Sequence, residues 1–383
     1  MAASSKRREQ PRGLRILIVT HYAYPHSGGI EQATFNQARA LVRAGNNVTI
    51  VSSNIPESQT EETVEGVKFV RVPASRILEQ GSGVPYTVFS RALGKELYKL
   101  IPNCDVVHVH GSLYHSTWTA IRIAKRYKKP VVLTEHVGKV PYTNPILKGI
   151  QHAAYAVAGA RALRSADRVI VLTDEVRAHV EALRGTSEGV KLIANGIDTT
   201  FFSPASSVTK NKIKAGLKVP KESSLIVFNG RLIEKKGFQY VLDALTDKDY
   251  AICIGSGAAP QKYLTQSNCW FVGTVSQAQV RDILRAADCF ALPSVGEGFP
   301  VATMEALAVG VPCVLSNTQS NNHYVPKSAA IFVDCTAPSV QQGIANAKKR
   351  SGALSKAARL LATKTMSIER SAAQLQQIYH EVA

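Results

Sequence analysis

The chain has 383 residues, 45% apolar and 19% charged, which is enough apolar material for packed cores and too long for one core of ordinary size. A single small module and wholesale disorder are excluded, and two domains are expected. A net charge of +18, from 46 lysines and arginines against 28 acids, calls for a negatively charged partner. The excess is spread, 26 basic to 16 acidic residues up to Asp198 and 20 to 12 after it, unlike a basic tail on a neutral protein.

After a basic leader over residues 1–14, Arg15–Thr20 is a continuous apolar run of the buried parallel-strand type. A loop with Ser27-Gly28-Gly29 follows, then a helix from Ile30 to Ala44 that Gly45 ends, then a strand at Asn47–Val51. The pattern recurs with runs at Val67–Val72, Asp105–Val109, Pro130–Thr134, Arg168–Leu172 and Val190–Ala194. Asn195-Gly196-Ile197-Asp198 and the polar, Lys-rich stretch Ser203–Lys221 read as a linker, which puts a first domain over 15–200. A second series of runs, from Leu225–Phe228 through Tyr250–Ile254, Trp270–Val272, Cys289–Leu292, Pro312–Leu315 and Ala330–Val333, predicts a second domain over 201–365. The last stretch, Ala353–Ala383, lacks Pro and Gly and reads as one or two long helices, the final one over 366–383. Alternation of strand and helix predicts an α/β fold of two doubly wound domains with parallel sheets, and open sheets of this kind bind ligands at the carboxyl ends of their strands.

No stretch approaches the ~18 consecutive apolar residues of a spanning helix, and Met1–Gly13 is charged, so a cytoplasmic protein is expected. The six cysteines are scattered with no CxxC pair, which disfavours a zinc ribbon or a redox motif. His108, His110 and His115 invite a metal reading, yet no fourth ligand is suggested, and they are expected to be core or cleft histidines. Asp247-Lys248-Asp249 is a formal DxD that precedes a strand where a metal-nucleotide motif follows one, and it is expected to be a solvated loop.

The strongest chemical signal is Pro293-Ser294-Val295-Gly296-Glu297-Gly298-Phe299-Pro300, which leads into a helix containing Glu305. Glycines on either side of Glu297 let backbone approach a ligand, and free N–H groups at a helix start receive anionic or hydroxyl-rich groups. Glu305 sits among Met304, Ala306, Leu307 and Ala308, where a carboxylate needs a partner or a ligand hydroxyl. Directly after the first strand of the second domain, Arg231 and Lys236 leave a strand-to-helix loop and together can neutralise a pyrophosphate. Gly28 and Gly29 are consistent with phosphate approach, although the full GxGxxG of a dinucleotide site is missing.

In this order the segments resemble the retaining glycosyltransferases of family 4, over about residues 15–335. The match includes GGIE at 28–31, TEH at 134–136, NGID at 195–198, GRL…KKG at 230–237, GSG at 255–257 and EGFPVATMEALAVGVP with its Glu297/Glu305 pair. The resemblance implies the GT-B architecture, two Rossmann-like domains facing across a cleft with the C-terminal helix packing back on the first. It implies a metal-independent transfer of a sugar from a UDP- or GDP-sugar to a glycan or lipid-linked acceptor, with retained anomeric configuration and no cofactor. By the same carry-over, Arg231 and Lys236 hold the diphosphate and Glu305 the ribose. Glu297, Gly298, Phe299 and Pro300 hold the donor sugar, with His136 beside it. Gly28 and Gly29 close on the phosphates, and Gly255, Gly257 and Val272 flank the base. Ala194 stands where the family often has proline.

Three other readings were weighed. A non-catalytic nucleotide-sugar-binding protein would be expected to lack Glu297, Arg231 or Lys236, and a nicotinamide dehydrogenase to have GxGxxG. A nucleic-acid partner is not expected, since the cations form no aromatic-interleaved run. The stretch Arg122–Lys148 carries seven cations (Arg122, Lys125, Arg126, Lys128, Lys129, Lys139, Lys148) against Glu135, so a peripheral contact with an anionic membrane surface is expected.

Overall fold

The computed structural model describes residues 13–26, 28–54, 59–75, 86–136, 138, 145–295 and 299–383, with backbone alone at 145–147. Residues 1–12 of the basic leader, Lys139, Glu297 and Gly298 lie outside the described residues. The first sheet is built from β1 (Arg15–Val19), β2 (Asn47–Ser53), β3 (Glu61–Val64) and β4 (Val67–Val72), joined after a small antiparallel pair, β5 (Ala74–Ser75) and β6 (Val88–Phe89), by β7 (Val106–His110), β8 (Val131–Glu135), β9 (Arg168–Val171) and β10 (Val190–Leu192). Its order is β10-β9-β8-β7-β1-β2-β4-β3, parallel throughout except for β3 against β4. The continuous apolar runs follow from burial of both faces. Ile16 and Ile18 of β1 enter one core while Leu17 and Val19 enter the other, as the two-residue period of a strand requires.

The second sheet runs β13-β12-β11-β14-β15-β16, all parallel, from β11 (Ser224–Asn229), β12 (Asp249–Ile254), β13 (Cys269–Gly273), β14 (Cys289–Leu292), β15 (Cys313–Ser316) and β16 (Ala330–Val333). Strand order reverses between β11 and β14, so the loops leaving these two strands diverge and open a crevice. Hydroxyl caps start many of the covering helices: Ser90, Thr173, Ser206, Ser276, Thr318 and Ser367 each accept a backbone N–H of the following turn. Among the described residues no helix is long and apolar enough to cross a membrane.

Two sequence expectations need correction. Ser203–Lys221 is no plain linker, because Ser207–Gly216 forms a helix of the second domain. Lys210 and Lys214 reach Asp288 at 2.7 and 2.9 Å, and Ile213 and Leu217 pack on the core. Its polar composition concealed this, since the helix is tied down by ion pairs with only a narrow apolar edge. Asp249 is likewise buried rather than solvated: it opens β12, accepts the Thr246 N–H and hydroxyl, and meets Lys348 Nζ at 2.7 Å.

The C-terminal residues form two helices, Ser351–Thr365 and Ile368–Val382. The second leaves its own domain and packs on the first, where Ile368, Ala372, Leu375, Ile378 and Tyr379 join Ile16, Ile18, Phe35 and Leu41 in one core. The chain therefore crosses between domains twice, and the crossings are tied together. Ile197 N–H donates to Met366 O at 2.8 Å and Ile368 N–H to Ile197 O at 2.9 Å. Gly196 permits this approach, because a Cβ there would overlap the Ile368 backbone. Asp198, next in line, caps Thr200 and Phe201 and takes Arg39 from the first domain at 3.2 Å.

Leu375→Ala is expected to cost about 2–5 kcal/mol, the range for a buried leucine whose cavity only partly collapses. Hydrogen exchange measured on the full chain should show lost protection in β1, β2 and β7 while β11 to β15 keep theirs.

Candidate active site

The carboxyl ends of the two sheets face each other. The Tyr324 hydroxyl, on the helix Gln319–Tyr324 that follows β15, donates to Leu172 O just past β9, and His323 Nδ1 lies 3.2 Å from Asp174 Oδ2. The cleft between these edges holds the loops that carry the predicted residues.

On the second-domain side, Arg231 is exposed on the loop leaving β11 and Lys236 is half-buried in the turn Glu234–Lys236. This loop is locked to the one leaving β14. Val295 N–H donates to Lys235 O at 2.8 Å, and Gly237, at φ 74°, lies so close to Pro293 that a Cβ would overlap its carbonyl oxygen. The two cations are thus held at the point where strand order reverses. Gly255 (φ 133°) and Gly257 (φ 121°) also face crowding from protein, the first against Gly230 O and the second against Leu232, so packing of the Gly230–Leu232 loop accounts for both glycines. Val272 is half-buried in β13, and Gly255 N–H donates to Gly273 O at 2.9 Å.

Phe299 stacks on Tyr324 with ring centroids 4.8 Å apart, and Pro300 stands at the N-cap position, just outside the helix Val301–Val309. Glu305 on that helix is 3% exposed, and Asn229 Nδ2 at the end of β11 donates to its Oε2 at 3.2 Å. Burial pushes its carboxyl up to about 8, with Gln277 opposing. The group is therefore mostly protonated at neutral pH, able both to donate and to accept.

On the first-domain side, Gly28 and Gly29 open the helix Gly29–Arg43 after β1. A Cβ at Gly29 would meet nothing within 4 Å, whereas one at Gly28 would run into the Glu31 carboxylate. Glu31 is buried, with His26 Nδ1 at 3.2 Å. Burial would raise its pKa, but the His26 hydrogen bond, its own backbone N–H and the neighbouring His21 outweigh this and hold it below the ordinary value. His136 follows β8, half-buried, and desolvation together with His21 lowers its pKa to about 4, so the ring is neutral. Its Nε2 is 2.8 Å from His110 Nδ1. His108 is bonded to Tyr379 Oη at 2.6 Å and Thr134 Oγ1 at 2.7 Å, which accounts for it as a core histidine. Among the described residues no group of three His, Cys, Asp or Glu is placed to hold a metal ion.

The predicted residues that are described thus fall on the two facing edges, with Arg231, Lys236, Phe299, Pro300 and Glu305 on one and Gly28, Gly29 and His136 on the other. Sequence reasoning placed His110 as a core or cleft histidine but missed its pairing with His136, and it missed the parts of Asn229 and Tyr324. The alternation His108-x-His110, beside the strand that carries His136, was the available signal for the first.

Residues 27–201 match the family described as Glycosyltransferase Family 4, and residues 209–360 match Glycosyl transferases group 1. The chain belongs to the family 4 glycosyltransferases. It is 32% identical over 216 residues to TuaC of Bacillus subtilis, named as a teichuronic acid biosynthesis glycosyltransferase, covering 56% of this chain and 53% of that one. It is 28% identical over 244 residues to the UDP-Gal:alpha-D-GlcNAc-diphosphoundecaprenol alpha-1,3-galactosyltransferase of Escherichia coli, covering 59% of this chain and 62% of that one. These alignments span about half to three fifths of the relatives' lengths. Sucrose-phosphate synthase from Thermosynechococcus elongatus superposes with a TM-score of 0.77 at 19% identity over 96% of this chain and 98% of that one, which shows the shared GT-B fold.

Glu305 makes stability depend on pH in this glycosyltransferase. Between the ordinary carboxyl value of 4.5 and about 8 the native state holds a proton that the unfolded chain has lost, so its contribution falls as pH rises through that window. Glu305→Gln, a neutral mimic, should match the natural protein near pH 5 and exceed it near pH 8 in urea unfolding. A variant no more stable near pH 8 would show that burial does not hold the proton.

Proposed function

We propose that the chain is a retaining hexosyltransferase that moves a sugar from a UDP- or GDP-sugar to a glycan or lipid-linked acceptor and needs neither a metal nor a cofactor. The observation that carries this reading is the locked pair of loops at the strand-order reversal, which holds Arg231 and Lys236 at the carboxyl edge of the second sheet, while His136 stands at the carboxyl edge of the first. Breaking the anomeric C–O bond builds negative charge on the leaving diphosphate and positive charge on the sugar. Arg231 and Lys236 stabilise the first, in place of a metal ion. Glu305, protonated and steadied by Asn229, accepts from one ribose hydroxyl and donates to the other. The donor sugar lies along Phe299 and Pro300, with Glu297 and Gly298 of the same sequence motif, beside His136. Gly29, with open space around it, faces the phosphates. The buried carboxylates of the first-domain edge are engaged, Glu31 by His26 and Glu135 by the Ser112 N–H at 2.9 Å. This favours departure and attack on one face of the sugar over a covalent enzyme intermediate.

The name of the Escherichia coli relative, which pairs UDP-Gal with a diphosphoundecaprenol acceptor, supports both the donor class and a lipid-linked acceptor. Calorimetry with UDP- and GDP-sugars tests the reading, and failure to bind any of them would overturn it. Turnover should survive EDTA. Arg231→Ala and Lys236→Ala should each lower turnover about 100–1000-fold, as loss of other preorganised charge-stabilising donors does.

The cationic stretch supports docking at the cytoplasmic face of a membrane. The strand β8 divides it, with Lys125, Lys128 and Lys129 before the strand and Lys148 after, so a flat leaflet meets both only along the flank of the helices His115–Arg126 and Pro145–Ala154. Trp118 (38%), Ile150 (60%) and Val157 (74%) are exposed, and Lys125, Lys128, Lys129 and Arg164 line an open groove of about 550 Å³ where the chain enters β8 and β9. Each cation near an anionic surface contributes ~1 kcal/mol, screened by salt. The protein should sediment with anionic but not neutral liposomes at low salt, and high salt or Lys125→Glu with Lys129→Glu should weaken this. No binding to either liposome at low salt would favour a soluble acceptor.

A further inference from the structure

His136 stands beside the proposed donor sugar, and what it offers there depends on which ring nitrogen carries its proton. His110 lies on β7, the strand next to β8, fully buried, with Nδ1 2.8 Å from His136 Nε2 and 3.3 Å from Thr34 Oγ1. The two rings stack at 5.0 Å with an interplanar angle of 23°. The other ring nitrogen of His110, Nε2, is buried without a hydrogen-bond partner among the described residues.

One proton sits in the short Nδ1···Nε2 contact, and two arrangements are available to a pair of neutral rings. If His136 Nε2–H donates, His110 must carry its own proton on Nε2, leaving a buried N–H with no acceptor. If His110 Nδ1–H donates, the group left unpaired is only the Nε2 lone pair. An orphaned buried N–H is the rarer and costlier defect. Desolvation, with His108, His136 and His21 around it, holds the His110 pKa well below its ordinary value, so the doubly protonated ring does not compete.

We infer that His110 is a positioning residue that donates from Nδ1 to His136 Nε2 and thereby fixes His136 as the neutral Nδ1–H tautomer. The inference rests on the proposed transferase reading for its consequence in turnover, though not for the tautomer itself. With Nε2 occupied, His136 cannot act as a base or nucleophile through that nitrogen. It meets the sugar as an uncharged N–H donor, adding no positive charge where the oxocarbenium forms. The Thr34 hydroxyl, free to accept or to donate, is compatible with this direction. The neighbouring His108 does not intrude, because Tyr379 and Thr134 engage both its nitrogens.

Two readouts test this on the full chain. In protein labelled with ¹⁵N-histidine, long-range proton–nitrogen correlation spectra should show the His136 ring, identified by its loss in His136→Gln, protonated at Nδ1 with Nε2 bare. A proton on Nε2 would overturn the inference whatever the activity. His110→Leu should lower the rate of UDP release from UDP-galactose about 10–100-fold, the usual loss when the partner that orients a working histidine is removed, with donor KM nearly unchanged. His110→Asn, whose amide nitrogen lies near the place of Nδ1, should restore most of that rate. Equal activity in the leucine variant, or no rescue by asparagine in a folded protein, would reject the positioning role. If no UDP- or GDP-sugar binds or turns over in the natural protein, the donor reading fails while the tautomer still stands on the spectrum.

Discussion

The paired crossing at Ile197 and Met366–Ile368 is the constraint on which the rest of the molecule depends. Two open parallel sheets have no inherent reason to meet carboxyl edge to carboxyl edge, and the two crossings of the chain between them pass side by side. Bonding the two links to each other turns two independent tethers into one short ribbon, with Asp198 capping its exit and drawing Arg39 of the first domain onto it. The Tyr324–Leu172 contact adds a further tie between the two carboxyl edges.

Charge in the cleft is distributed by the same logic of burial. The guanidinium and ammonium that would face a diphosphate are left exposed or half-exposed on loops. The groups deep in the edges are kept neutral, Glu305 by its apolar helix and the histidine pair by the sheet. The buried acid that does keep its charge, Glu31, has a histidine against it.

Most of the architecture was legible in the sequence because burial of both faces forces strands of a parallel sheet to be apolar throughout, and runs such as Arg15–Val19 and Ser224–Asn229 show it plainly. The motif residues were legible for a related reason: glycines and charged groups stand out against such runs. What escaped was structure made by pairing between distant residues. The helix Ser207–Gly216 is fixed by Asp288, over seventy positions away, and Asp249 by Lys348, about a hundred away, so neither burial is written in local composition. The part of Asn229 needed Glu305 beside it, and that of His110 needed the register of β7 on β8.

The return of the last helix has a consequence for how the molecule is made. During synthesis an N-terminal domain ordinarily completes its core as soon as its own residues emerge. Here one face of β1 and β2 is covered by Leu375 and Tyr379, which the ribosome delivers after the entire second domain. The first sheet must wait with that face open, and β11 to β16 are able to fold before it closes. The second domain thus matures first although it is made later, and a ribosome that stalls within it leaves behind a first domain with an unfinished, apolar and adhesive wall.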